Sequence, residues 1–300
     1  MTMNRRNFVI TGAVAVAGAA LLSAPAAEGE AKEGKMKKAV QFGMINEKGM
    51  SVMDKFKLAK ELGFEGVEIN SIPGMDLSEL LKAKEETGLG ISEICDALHW
   101  KDVLSSPSEE MRARGVKALK DSLEIAKQVG STSVLLVPGV VNKNCSYDEC
   151  YSRSQAEIKK CLPDAERLGV KIAIENVWNG FLLSPLEMAR YVDEFQSPWV
   201  GVHFDVGNII NFGWPEQWIR ILNKRILKLH IKEYSRARRD KEGLWKGFDV
   251  KLGDGDNDWP SVVTALKEIG YTGWATAEVP GGDRVALKDI SERMTKILGL

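Results

Sequence analysis

The stretch GVHFDVGN, residues 201–208, begins as a buried β-strand and ends on a small polar turn. Asp205 stands where the apolar run stops, a place suited either to a helix cap or to a side chain aimed at a ligand. Three other apolar runs stop in the same way. Lys171-Ile-Ala-Ile-Glu175, Leu227-Lys-Leu-His230 and Trp274-Ala-Thr-Ala-Glu278 each close on a carboxylate or an imidazole. Four equivalent endings predict four strands whose C-terminal ends share one face of a sheet.

Outward from this stretch the pattern keeps alternating between short apolar runs and longer amphipathic ones. Strands are predicted at 39–44, 66–69, 91–97, 133–137, 171–175, 200–205, 226–231 and 273–278. Helices are predicted between them at 52–62, 77–86, 109–129, 154–168, 185–195, 215–222, 259–269 and 285–298. Strands that alternate with helices imply right-handed crossovers and a parallel sheet. Eight such units in about 260 residues fit a closed (β/α)8 TIM barrel, an α/β fold, as a single domain over residues 38–300. A doubly wound open sheet competes, but it lacks a glycine-rich phosphate loop: the first strand runs into Ile45-Asn-Glu-Lys. Gly130, Gly169 and Gly270 each fall just past a helical pattern, as C-terminal caps do.

The first 26 residues read as an export signal rather than as part of the fold. Arg5-Arg6 precede a soft apolar run from Phe8 to Ala24, and Ala24-Pro-Ala26 offers a small-residue cleavage site. The paired arginines followed by Phe8 and Val9 point to the twin-arginine machinery as a partner and to a periplasmic destination. An uncleaved membrane tether is the alternative. A charged, disordered lead is expected over residues 27–37. The balance of 41 basic and 42 acidic residues, net charge −1, gives no electrostatic footprint for nucleic acid. The four cysteines match no zinc motif; in an oxidising compartment Cys145 and Cys150 can pair or stay free.

If the last four strands are in register, Glu175, Asp205, His230 and Glu278 converge at the C-terminal mouth, where barrel active sites lie. Three carboxylates that close repel one another unless a cation lies between them. Oxygen-rich ligation with one imidazole suits Mn²⁺, Mg²⁺, Co²⁺ or Zn²⁺.

With these residues in view, the chain resembles the xylose isomerase-like TIM barrels, which include sugar-phosphate isomerases and epimerases, ketose 3-epimerases, hydroxypyruvate isomerase, inosose dehydratase and the endonuclease IV branch. The likeness is carried by IAIENVWN, GVHFDVGN, ILKLHIKEY and TGWATAEV, with KLGDGDNDWPSVVTALKEIGYTGW and SEEMRARGVKALKDSLEIAKQVGSTSVLLVPG as further stretches. It implies that Glu175, Asp205, His230 and Glu278 hold one divalent metal, usually manganese in the epimerases. It also implies that Glu175 and Glu278 are the catalytic pair, moving protons on opposite faces of a bound carbohydrate. A metal chelated by the carbonyl and hydroxyl of a 2-hydroxy ketone acidifies the C–H between them and stabilises an ene-diolate. Arg236 falls where the epimerases place a substrate-contacting arginine, though it also reads as a solvated residue of the basic loop SRARRDKEGLWKG. Lys232 follows the family's His-x-Lys-acid pattern and belongs at the rim of the site.

Other substrate contacts are expected from His99 and Trp100 at the end of strand three, and from Asn208. Trp178 either walls the pocket or packs beneath a loop. Glu68 is a weaker candidate that can simply pair inside the barrel, and His203, deeper on its strand than Asp205, reads as a core histidine. Two positions depart from the ketose epimerases. Asn208 stands where the pattern is Asp-x-x-His, and Phe181 stands where those relatives carry glutamate six residues past the strand-five ligand. Asn can hydrogen-bond a hydroxyl but cannot take a proton. With three histidines in all, the chain cannot build the trinuclear zinc site of the endonuclease branch. Three activities stay open: an exported, metal-dependent isomerase or epimerase on a small, unphosphorylated sugar or keto-sugar; a lyase or dehydratase on 3-keto-glycosides or inosose-like polyols; and a non-catalytic sugar-binding barrel. The oligomeric state, including a homo-oligomer, is not readable.

Overall fold

The computed structural model describes residues 35–72 and 74–300; the expected export signal and nearly all of the lead lie outside the described residues. Eight parallel strands close in chain order: β1 Lys37–Gln41, β2 Gly66–Ser71, β3 Gly90–Asp96, β4 Ser133–Leu136, β5 Lys171–Glu175, β6 Val200–Asp205, β7 Ile226–Ile231 and β8 Trp274–Ala277. β8 returns to β1, where Lys37 pairs with Trp274 and Val40 with Ala277, so the sheet has no free edge. This is the TIM barrel that the alternation predicts. Among the described residues no helix is long and apolar enough to cross a membrane.

The strands alternate in chemistry because they face two different interiors. On β6, Val202 and Phe204 pack outward into the fully buried apolar layer beneath the helices. Their neighbours His203 and Asp205 point into the barrel. On β7, Leu229 and Ile231 join that outer layer, and Lys228 and His230 point in. The lumen is therefore polar. Nδ1 of His203 meets a Glu93 carboxylate oxygen from β3 across the barrel, and the Ser133 hydroxyl donates to the other at 2.5 Å.

Among the described residues eleven helices surround the sheet: α1 Val52–Glu61, α2 Ser78–Thr87, α3 Glu109–Val129, α4 Tyr147–Lys159, α5 Leu162–Leu168, α6 Pro185–Asp193, α7 Gly207–Ile210, α8 Pro215–Leu222, α9 Arg236–Glu242, α10 Trp259–Glu268 and α11 Arg284–Leu298. Serine and aspartate side chains start several of them, as Ser108 does for α3 by accepting the N–H of Met111. Gly130 and Gly169 end α3 and α5 in the left-handed conformation, φ 76° and 67°, where a side chain would be strained.

Several boundaries differ from the sequence reading, four of them with a plain local cause. The first strand starts at Lys37, one residue inside the expected lead, because the backbone N–H of Lys37 bonds the Gly273 carbonyl. It ends at Gln41 and turns through a single 3₁₀ turn, Phe42–Met44, instead of running on to Met44. The helix expected at 154–168 is two helices, since Pro163 lacks the N–H that would continue the ladder. The stretch taken as a basic loop contains α9, capped by Ser235, whose hydroxyl accepts the N–H of Arg238.

Candidate metal centre

The site is assembled by strand ends. Glu175 closes β5, Asp205 closes β6, His230 lies one residue from the end of β7, and Glu278 follows β8, its N–H still bonded to the Ile231 carbonyl. Their ligating atoms all lie within 4.8 Å of one another. Nδ1 of His230 is 3.1 Å from Oε1 of Glu175 and 3.2 Å from Oε2 of Glu278. Glu175, Asp205 and His230 are buried, and Glu278 is partly open to the pocket above.

Asp205 both caps and aims. Its Oδ1 accepts the Asn208 N–H at 2.9 Å, starting α7, and its Oδ2 lies 3.3 Å from the Lys232 ammonium. Asn176 locks this strand end to β5: its Oδ1 accepts the Asp205 N–H at 2.9 Å and its Nδ2 donates to the Asp205 carbonyl at 2.8 Å. Sequence reasoning missed that role, because one asparagine after a strand carries no distinguishing signal.

Charge balance dominates the electrostatics. Burial, with Glu278 and Glu175 nearby and Lys232 opposing, pushes Asp205 up to about 7. Burial alone would lower His230, but the Glu68 and Glu278 carboxylates outweigh it and hold the ring's pKa well above its ordinary value. Glu278 is held low against its own burial by His230 and Lys232. Lys232 bridges the pair, 2.9 Å from Oε2 of Glu278, and its pKa is raised despite burial. The three acidic side chains thus face the Lys232 ammonium and the His230 ring. Three oxygen donors and one imidazole nitrogen, converging in a buried cluster that needs positive charge, fit one divalent cation.

Glu68, the weaker candidate, lies below the four: its Oε2 is 2.9 Å from Nε2 of His230, and its Oε1 accepts from Gln41 at 3.1 Å. His203 is a core histidine on Glu93, as read, and its Nε2 has no partner among the described residues.

Above the cluster opens a pocket of about 430 Å³, lined by Asn208, Lys232 and Glu278 on its floor and by Trp100, Trp178, Trp245 and Phe248 among its walls. Of the expected substrate contacts, the structure brings Trp100, Asn208 and Lys232 to this pocket. Asn208 is also a latch: its Nδ2 donates to the Asn176 carbonyl at 3.0 Å, and its own carbonyl accepts the Trp178 indole N–H at 2.8 Å. His99 and Arg236 are not brought there. Nδ1 of His99 accepts the Val137 N–H at 3.2 Å, and burial lowers its pKa to about 4. Arg236 donates to the carbonyls of Ile210 at 2.8 Å and Gly213 at 3.0 Å, and lies over Trp214. Phe181 is buried in an aromatic cluster with Tyr147, Tyr151 and Tyr191. Trp245 went unread within the stretch taken as basic loop, and Phe248 just past it; two aromatics beside charged residues were the available signal. Cys145 and Cys150 are buried free thiols.

Comparison with known proteins identifies the family of the barrel. The family model described as xylose isomerase-like TIM barrel matches residues 56–297. L-ribulose-5-phosphate 3-epimerase of Salmonella paratyphi A is 26% identical over 264 residues, covering 81% of this chain and 90% of the relative. The enzyme of the same name from Escherichia coli O1:K1 is 26% identical over 266 residues, with coverage of 81% and 90%. Among solved structures, an L-ribulose 3-epimerase superposes with a TM-score of 0.73 at 19% identity, covering 88% of this chain and 95% of its own. The 3-keto-D-glucoside 4-epimerase of E. coli superposes with a TM-score of 0.72 at 19% identity, covering 89% and 100%. These two structures share the barrel fold.

Proposed function

The chain belongs to the xylose isomerase-like TIM barrel family, and from that membership we propose a divalent-metal-dependent isomerase or epimerase acting on a small, unphosphorylated sugar or keto-sugar. The observation that carries the reading is the convergence of Glu175, Asp205, His230 and Glu278 beneath an open pocket. These four residues would hold the metal, manganese first, with magnesium, cobalt or zinc compatible with the same donors. When bound, the cation supplies Lewis acidity toward the carbonyl and neighbouring hydroxyl of a 2-hydroxy ketone.

The chain's own residues do the rest. One of Glu175 and Glu278 takes the proton from the carbon between carbonyl and hydroxyl, and the C–H electron pair moves into the ene-diolate. The other, as the acid, returns a proton to the opposite face; returned to the same carbon it inverts that centre, and returned to the former carbonyl carbon it isomerises. Asp205 and His230 keep the donor set together, and Lys232 holds Glu278 in place through their ion pair. A second reading uses the same abstraction with loss of a β-substituent, as a lyase; the room between Glu278 and the aromatic walls favours a substrate that carries one.

Incubation of the metal-loaded protein with ketoses and 3-keto-glycosides in D₂O tests both. Deuterium beside the carbonyl with the skeleton intact supports isomerisation or epimerisation. Loss of water or an aglycone supports the lyase, and binding without exchange leaves a sugar-binding barrel. We further propose export by the twin-arginine route, carried by Arg5 and Arg6; retention of an Arg5→Lys/Arg6→Lys variant in the cytoplasm tests it, and unchanged periplasmic recovery would refute it.

A further inference from the structure

The walls of the pocket carry more apolar surface than a free ketose uses. Trp100 comes from the segment after β3, Trp178 from that after β5, and Trp245 and Phe248 from that after α9. Three separate loops converge, so the cluster is not one amphipathic face packing on itself. The ring centres of Trp245 and Phe248 each lie 4.9 Å from that of Trp178. Yet Trp100 keeps 50% of its surface exposed and Trp245 keeps 66%. Large aromatics left half open around a concavity offer faces on which a ring can pack.

The same lining is poor in what a phosphate ester needs. Phosphate is recognised by arginine forks, lysines free to pair, or unsatisfied N–H groups at a helix start. Among the described residues lining this pocket Lys232 is the one cation, and it is already paired with Asp205 and Glu278. The nearby guanidinium of Arg236 is committed to two backbone carbonyls. Glu278 at the floor adds negative charge. A pocket of about 430 Å³ falls within the roughly 300–1,000 Å³ range of small-molecule sites.

We propose that this aromatic wall is a subsite for the second, uncharged ring of a keto-sugar glycoside, whose hydroxyketone end reaches the metal centre, and that sugar phosphates are not the substrate class. The assignment rests on the isomerase or epimerase reading of the neighbouring centre, and it names the substrate class for it. Trp178, fixed by its indole bond to the Asn208 carbonyl, forms the rigid part of the wall; Trp100 and Trp245 form the parts open to solvent.

The test uses manganese-loaded protein and calorimetric titration with phenyl 3-keto-β-D-glucopyranoside, methyl 3-keto-β-D-glucopyranoside, D-ribulose and D-ribulose 5-phosphate. The phenyl glycoside is expected to bind about tenfold more tightly than the methyl glycoside, the difference one aromatic pairing with its buried area supplies. In Trp245→Ala that ratio is expected to fall to about twofold or less. Trp245 is surface-exposed, so the substitution spares the core, and an unchanged melting temperature checks this. Equal binding of the two glycosides, binding of neither, a ratio that survives both Trp245→Ala and Trp100→Ala, or tighter binding of ribulose 5-phosphate than of ribulose would each overturn the subsite. Deuterium exchange in the same samples scores the chemistry separately. Ring preference without exchange supports the subsite and refutes the reaction, whereas exchange without ring preference refutes only the subsite.

Discussion

Oε2 of Glu68 lies 2.9 Å from Nε2 of His230, while Nδ1 of the same ring faces Glu175 and Glu278. A carboxylate on one ring nitrogen fixes the proton there and leaves the lone pair of the other for a cation. By this geometry Glu68 is expected to position the His230 ring. Glu68→Ala is expected to weaken manganese binding by about 10–100-fold, the usual cost of removing such a partner. Glu68→Gln, which can still accept the Nε2–H, is expected to retain most of the affinity. Competition against a chelator measures both. Equal losses in the two variants would mean that Glu68 acts through bulk packing, not through the ring proton.

Lys232 competes with a metal for the same carboxylates. Its ammonium stands 3.3 Å from Oδ2 of Asp205 and 2.9 Å from Oε2 of Glu278. Lys232→Met keeps the length of the side chain and removes the charge. The metal-free variant is expected to melt below the wild type, because the buried Asp205 and the partly buried Glu278 lose their partner. Saturating manganese is expected to raise its melting temperature by more than it raises that of the wild type. Scanning calorimetry with and without metal decides this, and a smaller metal-induced rise in the variant would contradict it.

Glu278 and Asp205 serve the centre differently, and their substitutions should separate. Glu278→Gln keeps an oxygen donor but cannot take or return a proton. It is expected to bind metal while losing about 10²–10⁴-fold in conversion of a ketose to its epimer or isomer, which needs both carboxylates. Asp205→Ala removes a donor from the buried heart of the cluster and is expected to lose the metal itself. Elemental analysis of the purified variants, beside the conversion rate, distinguishes them. Full conversion by Glu278→Gln would remove it from the catalytic pair.

The barrel and the convergence of Glu175, Asp205, His230 and Glu278 were legible because both rest on periodic signals. Apolar runs of strand length recur with helices between them, and four runs end on donor side chains at equivalent places. What escaped was set by tertiary partners. Arg236 reads as a substrate contact by position, but the carbonyls of Ile210, which ends α7, and of Gly213, in the turn after it, claim its guanidinium. His99 reads as a polar contact, but the N–H of Val137 on the neighbouring loop claims its Nδ1. Trp245 lies unread within the basic stretch, and only the folded segment after α9 brings it to the pocket. Asn176 is invisible in sequence because its two bonds to Asp205 cross between strands that are 29 residues apart in the chain.

Asp96, at the end of β3, ties stability to pH away from the metal centre. Burial is the largest cause that pushes its carboxyl up to about 6, with Asp102 and Asp121 adding to it and the N–H of Leu98 opposing at 3.0 Å from Oδ1. A folded pKa above the unfolded value of about 3.9 means that the folded state holds its proton longer. The group's stabilising contribution is therefore complete below about pH 4 and is lost as pH rises through about 6. Above that window the buried carboxylate is charged at a cost of about 1–3 kcal/mol relative to its neutral form. Asp96→Asn keeps the acceptor for Leu98 and carries no charge at any pH. Urea unfolding at pH 4 and pH 8 is expected to give near-equal stabilities of variant and wild type in acid, and a variant more stable by about 1–3 kcal/mol in base. The same difference at both pH values would show that Asp96 does not titrate within this window.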